Sequence, residues 1–158
     1  MKTLIVMSSV PGAGKSTWTR RYVNSHDNCY VISSDAIRYE LTGSYQDFSK
    51  QDLVWKTFED RIHEYATKSE DVTVILDALC DLNSLRIKYA KESPEYDKKI
   101  LVVIHKDFET ISKYNKQRKE ESWVPDHILE MLYKKFEQPN EEAKSYYDEV
   151  IEIDGYFE

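Results

Sequence analysis

Cysteine is nearly missing from this chain: Cys29 and Cys80 are the only two in 158 residues. Neither sits in a paired motif or in metal-ligand spacing with a histidine, which excludes a disulfide framework and a zinc-type cluster. Both are expected to be reduced, buried thiols of a cytoplasmic protein. Histidine is sparse too, and His26, His63, His105 and His127 are too scattered for any to be assigned a catalytic role. No apolar run approaches the roughly 20 residues of a membrane span. The early run "TLIVM" is too short for a signal-peptide core and leads straight into a loop with its own chemistry, so it reads as a buried strand. Internal repeats, low-complexity tracts and linkers are lacking. Positive charge is in deficit: 22 Lys and Arg against 29 Asp and Glu give a net charge of -7. That balance argues against an extended grip on duplex nucleic acid, while a small site for one strand end remains open.

What is present describes one domain over residues 1–158. Hydrophobic residues make up 41% and charged residues 32%, a balance that suits a packed soluble protein rather than a disordered one. Short apolar runs at Thr3–Met7, Tyr30–Ile32, Thr73–Leu76, Ile100–Ile104 and Val150–Ile153 suit strands buried on both faces. Between them lie helical segments. Phe48–Lys68 sets Trp55, Phe58, Ile62 and Tyr65 at helical spacing, and Leu82–Lys91 and Phe108–Lys119 follow. Another helix opens at Pro125 and Asp126 and runs through Phe136. Alternating strand and helix predicts an α/β fold, a parallel sheet of about five strands with helices on both faces.

The stretch "SSVPGAGKST" after the first strand nearly fits G-x-x-x-x-G-K-[ST]. That pattern works because successive backbone N–H groups line a concavity for phosphate oxygens. Its lysine reaches the terminal phosphates, its hydroxyl ligates Mg²⁺, and the next helix adds a positive dipole end. Gly12, Ala13, Gly14, Lys15, Ser16 and Thr17 are therefore the expected binders of ATP, with Ser16 on the metal. Ser9 stands where the first glycine belongs. Were its φ positive, serine would cost about 1 kcal/mol there, and glycine would relieve it.

Three further stretches narrow the reading. "SSDAIRYEL" carries Asp35 and Arg38 in D-x-x-R spacing. "VILDALCDLNSLRIKYA" places Asp77 and Arg86 as in a "VIIDATN…R" signature, with Leu79 and Cys80 where Thr and Asn usually stand. "YNKQRKEESWVP" matches "RNxxR…VP" at Asn115, Arg118, Val124 and Pro125, with Tyr114 replacing a first arginine. Together, over nearly the whole chain, these motifs resemble the P-loop kinase module of the polynucleotide 5′-hydroxyl kinases, without the phosphatase domain that some of them carry. The resemblance implies a P-loop NTPase three-layer sandwich with a helical lid. It implies Asp35 as catalytic base, against a helix-capping alternative for "SSD". Arg38 would bind an acceptor phosphate or orient Asp35, against a surface ion pair. Asp77 would hold Mg²⁺ through water or brace the loop. Arg118 would be the lid arginine that closes on the transferring phosphate, against a solvated basic helix face. Arg86 is expected to be structural. Trp123 is expected to anchor packing, with base stacking the alternative, and Trp18 reads as core.

Three functions fit these features. One is an ATP- and Mg²⁺-dependent kinase of a nucleic-acid 5′ end. The second is a kinase of a small hydroxylated metabolite such as a nucleoside, sugar or nucleotide sugar, which the acidic charge and the altered "DALC" favour. The third is a nucleotide-binding switch without turnover. None involves a membrane.

Overall fold

The computed structural model describes residues 1–154. The expected domain extends four residues further, outside the described residues. The strands are β1 (Lys2–Ser8), β2 (Cys29–Ser33), β3 (Val72–Asp77), β4 (Lys98–His105) and β5 (Glu149–Asp154). All pair in parallel, in the order β2-β3-β1-β4-β5. The helices are α1 (Lys15–Ser25), α2 (Ser34–Thr42), α3 (Gln51–Tyr65), α4 (Asn83–Lys91), α5 (Phe108–Asn115), α6 (Asp126–Lys135) and α7 (Glu141–Ser145). Among the described residues no helix is long and apolar enough to cross a membrane.

The apolar runs explain the layers. Side chains alternate across a strand, so a continuous apolar run feeds both faces of the sheet. In β1, Leu4 and Val6 enter one core with Val74, Leu76, Leu101 and Val103, under α3 and α4. Ile5 and Met7 enter the other with Ile75, Val102 and Ile104, under α5 and α6. The four β1 residues from Leu4 to Met7 are fully buried, and each such side chain contributes about 1.5–3 kcal/mol. The expected three-layer sandwich of parallel strands and helices is what forms. Edge strand β2 is less apolar, and its Val31 is exposed.

Several boundaries differ from expectation. α3 begins at Gln51 rather than Phe48 because the Asp47 carboxylate accepts from the Ser49 N–H at 3.0 Å, a local turn that competes with the helix. α5 ends at Asn115, four residues early. The short α7 was not anticipated; Asn140 caps it by accepting from the Ala143 N–H at 2.8 Å. Cys80 is buried but Cys29 is only partly so, and both are free thiols. Trp18 is half-buried at the margin of the second core, stacked on Tyr22 at 5.2 Å, rather than fully inside.

Candidate active site

The phosphate loop leaves the carboxyl end of β1 at the centre of the sheet, where open α/β folds form their crevice. Its root is tied to the β3–α4 connection. Ser9 donates its backbone N–H to Leu79 O at 3.0 Å, and Ser8 Oγ donates to Cys80 O at 2.8 Å. Cys80 itself takes a positive φ of 44°, and burial pushes its thiol up to about 12. It is therefore a neutral, enclosed group rather than a nucleophile. Gly12 and Gly14 hold φ of 83° and 99°. Gly12 is required twice over: a Cβ there would meet the Ile111 carbonyl oxygen of α5 at 2.6 Å. The loop thus bears directly on the helix that leads into the lid segment.

Ser9 is not strained. Among the described residues only Asn28 and Cys80 combine a side chain with a positive φ. The penalty that a positive φ would have carried is absent, and so is any relief from glycine. The cost lies elsewhere: the Ser9 hydroxyl is fully buried and has no hydrogen-bond partner among the described residues. Ser9→Ala is expected to raise folding stability by about 1 kcal/mol, since it removes an unsatisfied buried group at nearly constant volume. Ser9→Gly is expected to lower it by about 0.5–1 kcal/mol through chain entropy. Thermal melts of the two variants check both signs.

α1 begins at Lys15 with Gly14 as its N-cap and no side chain capping its first turn. Its first backbone N–H groups lack helical partners, and they carry the positive end of the dipole. Lys15 Nζ lies 2.8 Å from Asp77 Oδ1, at the end of β3, and both side chains are 14% exposed. Ser16 is exposed in the first turn of α1 and Thr17 is half-buried behind it. A glycine cradle, an uncapped helix start and a lysine fit a triphosphate. One hydroxyl and one carboxylate are the hard, sparse donors that Mg²⁺ accepts alongside phosphate oxygens and water.

The second group forms at the start of α2. Ser33 is the cap, its hydroxyl accepting from the Ala36 N–H at 3.2 Å. The capping alternative for Asp35 is thereby corrected: Asp35 sits in the first turn, half-exposed, with its carboxylate uninvolved in capping. Arg38 Nη1 donates to Asp35 Oδ1 at 2.7 Å. The Arg38 side chain is only 6% exposed, so the pair is no surface ion pair. Its Nε donates to Gln51 Oε1 at 2.8 Å, Nη1 also reaches Tyr45 O at 3.5 Å, and the guanidinium lies 4.5 Å from the Phe48 ring centroid. Burial and these contacts fix the guanidinium, and with it the orientation of Asp35.

The segment after α5, the expected lid, lies beside this group. The Asn115 side chain is buried and clamps Val124 from both sides: Nδ2 donates to Val124 O at 2.8 Å, and Oδ1 accepts from Val124 N–H at 3.1 Å. That clamp ends α5 and turns residues 116–123 into a connection with a single 3-10 turn at Glu120–Ser122, which explains why the motif pairs Asn115 with Val124. Lys116, Arg118 and Lys119 therefore lie past the helix end, not on a helix face. Lys116 pairs with Asp126 at 3.2 Å. Arg118 Nη2 stands 3.9 Å from Asp35 Oδ2, beyond hydrogen-bond range and about one-third exposed. Such a pair adds little stability and leaves the guanidinium able to turn to an anion. Trp123 is not a buried anchor: it is 37% exposed, and its Nε1 donates to Arg118 O at 2.8 Å.

Arg86 is fully buried and carries more of the loop's support than the sequence indicated. Its Nε and Nη2 donate to Ser8 Oγ at 3.1 and 2.9 Å. Nη1 reaches Asn83 Oδ1 at 2.8 Å and Nη2 the Glu137 carbonyl at 2.7 Å. Burial lowers its pKa. It ties the loop root to the chain that leaves α6.

A glycine-cradled phosphate loop after the central strand of a β2-β3-β1-β4-β5 parallel sheet defines a P-loop kinase-like fold. The AAA_33 family, described as an AAA domain, matches residues 4–139. The chain belongs to that family. Solved structures share the fold at low identity. A chain of the Pnkp1/Rnl/Hen1 RNA repair complex matches at TM-score 0.72 and 21% identity, over 93% of this chain and 46% of that one. Chaetomium thermophilum Kti12 in complex with ADP-AlF3 matches at TM-score 0.68 and 17% identity, over 96% and 88%. A gluconokinase from Sinorhizobium meliloti 1021 matches at TM-score 0.62 and 18% identity, over 96% and 82%.

Proposed function

We propose that this protein is an ATP- and Mg²⁺-dependent kinase that phosphorylates a hydroxyl, with the 5′-hydroxyl end of a nucleic acid or oligonucleotide as acceptor. The whole of residues 1–158 is taken as one kinase domain acting in the cytoplasm. The observation that carries the reading is the Asp35 carboxylate. It is held at 2.7 Å by a buried Arg38 and faces Arg118 at 3.9 Å. Backbone N–H groups from Gly12 to Thr17, with Lys15, would bind the triphosphate, and Ser16 and Asp77 would hold the metal. Mg²⁺ supplies charge neutralisation on the phosphate oxygens. Asp35 takes the acceptor proton as the new O–P bond forms and the bond to the leaving ADP breaks. Arg118 stabilises charge on the transferring group. Arg38 supplies a cation beside the base, where a strand end would bring its next phosphate.

Arg118→Ala is expected to lower turnover at least tenfold, about 1.4 kcal/mol, while ATP affinity changes less than threefold. Unchanged turnover would place the lid function on another residue. The acceptor is tested by transfer of labelled γ-phosphate to a 5′-hydroxyl oligonucleotide beside a panel of nucleosides and sugars. Efficient transfer to an uncharged sugar, with none to the oligonucleotide, would overturn the acceptor. A small-metabolite kinase is the second reading, favoured by the net charge of -7 and by the shared fold of a gluconokinase.

A further inference from the structure

Beside the Asp35–Arg38 pair lie exposed aromatic rings that the phosphate chemistry does not use. The connection from α2 to α3, residues 43–50, folds back along α2, so that the Tyr45 carbonyl accepts from Arg38 and Phe48 lies against the Arg38 guanidinium. Phe48 is nevertheless 56% exposed. Tyr39 stands one turn beyond Asp35 on the same side of α2. It is 47% exposed, and its ring packs 4.7 Å from the Tyr45 ring. Gln46 Nε2 donates to Trp123 O at 2.7 Å, which brings this connection against the lid segment. Large rings left open beside one charged pair, at the meeting of a loop and a lid, mark a recognition surface rather than core packing.

We infer that Tyr39, Tyr45 and Phe48 form a stacking platform for the terminal nucleobase of the acceptor, an inference that rests on the nucleic-acid reading above. The rings offer flat apolar faces, and Phe48 offers no hydrogen bond, so the platform suits a flat heterocycle better than a hydroxyl-rich sugar. Arg38 Nη2 carries no hydrogen bond to a described residue and is the donor left for a phosphate. Rings beside a guanidinium are the combination that holds single strands without reading their sequence. Stacking also resolves the charge problem: a protein of net charge -7 gains little from general attraction to a polyanion, whereas stacking acts regardless of charge.

The test compares a 5′-hydroxyl trinucleotide with the same strand made abasic at its first residue. In the wild type the abasic strand is expected to show a KM at least tenfold higher at similar kcat. Tyr39→Ala and Phe48→Leu should each move the base-bearing KM towards the abasic value. ATP KM should stay constant, and Tyr39→Phe should retain wild-type behaviour. Equal KM for the two strands in the wild type would overturn the platform and leave the kinase reading standing. A rise in KM for both strands alike in the variants would also overturn it, since that reports a displaced Arg38. Transfer to neither strand would count against the kinase reading instead. Calorimetric titration of both trinucleotides without ATP then still decides the platform: tenfold tighter binding of the base-bearing strand upholds it, and equal or absent binding overturns it.

Discussion

Lys15→Ala is expected to abolish ATP binding at concentrations that saturate the wild type, a loss of at least about 100-fold or 2.8 kcal/mol. Lys15 supplies the point charge that the loop's backbone dipoles lack, and charge-assisted bonds to phosphate are the strong ones. The structure adds a second consequence. Asp77 would lose its partner at 2.8 Å in a site where both side chains are 14% exposed. An uncompensated carboxylate there should cost about 1–3 kcal/mol of stability, below the roughly 3–5 of a fully buried pair. Loss of binding could then be mistaken for loss of folding, and Lys15→Ala/Asp77→Asn separates the two when read beside Asp77→Asn alone, which reports what the lost metal ligand costs. The double variant should recover most of the stability, because the neutral amide needs no counter-charge, and should recover none of the binding. The measurement is the rise in Tm on adding Mg²⁺–ATP, which reports binding by mass action. It should be several degrees in the wild type and absent in both variants that lack Lys15. A double variant that melts like the wild type and still shifts with ATP would remove Lys15 from the phosphate site.

Much of the fold was legible because it is written locally. The runs Leu4–Met7 in β1 and Ile100–Ile104 in β4 are apolar at every position, as a strand buried on both faces requires, and both strands lie inside the sheet with a neighbour on each side. The phosphate loop was legible for the same reason: glycines, lysine and hydroxyl occupy one contiguous stretch. What escaped was set by pairs distant in sequence. Arg86 and Ser8 are 78 residues apart, and no local pattern in "LNSLRIKYA" announces that its arginine will support the phosphate loop. For Arg38 the alternative of a surface pair stayed open, because its burial depends on the 43–50 connection folding back with Tyr45 and Phe48. "SSD" contains three competent capping residues, and only backbone geometry selects Ser33 and frees Asp35. The motif asparagine at 115 was visible, but its use was not: it ends α5 by bonding Val124, nine residues on. Whether Ser9 would be strained stayed conditional, because a φ value cannot be read from a residue's identity, and its φ is not positive.

Asp35→Asn is expected to lower phosphoryl transfer by about two orders of magnitude or more, the usual contribution of a positioned general base. The amide is close to isosteric with the carboxylate, and its oxygen can still accept from Arg38 Nη1, so the guanidinium keeps its bonds to Gln51 and Tyr45 and stays in place. Ser33 supplies the cap, so α2 loses only a favourable acid in its first turn, worth about 0.3–1 kcal/mol. The loss of charge on the Arg38 bond adds about 1 kcal/mol more. A stability loss of 2 kcal/mol or less should leave the protein folded. ATP binding should be unaffected, because the glycines lie in the loop between β1 and α1 and Lys15 opens α1, away from α2. The diagnostic result is therefore a normal Mg²⁺–ATP melting shift together with a collapsed kcat. Arg118 sharpens the test. It faces Asp35 at 3.9 Å, and the substitution removes the one carboxylate paired with it among the described residues, so a purely electrostatic role for Asp35, restraining the lid arginine, predicts unchanged or faster transfer. A fall of two decades supports a proton acceptor, whereas transfer at the wild-type rate in a folded Asp35→Asn protein would dismiss Asp35 as the base.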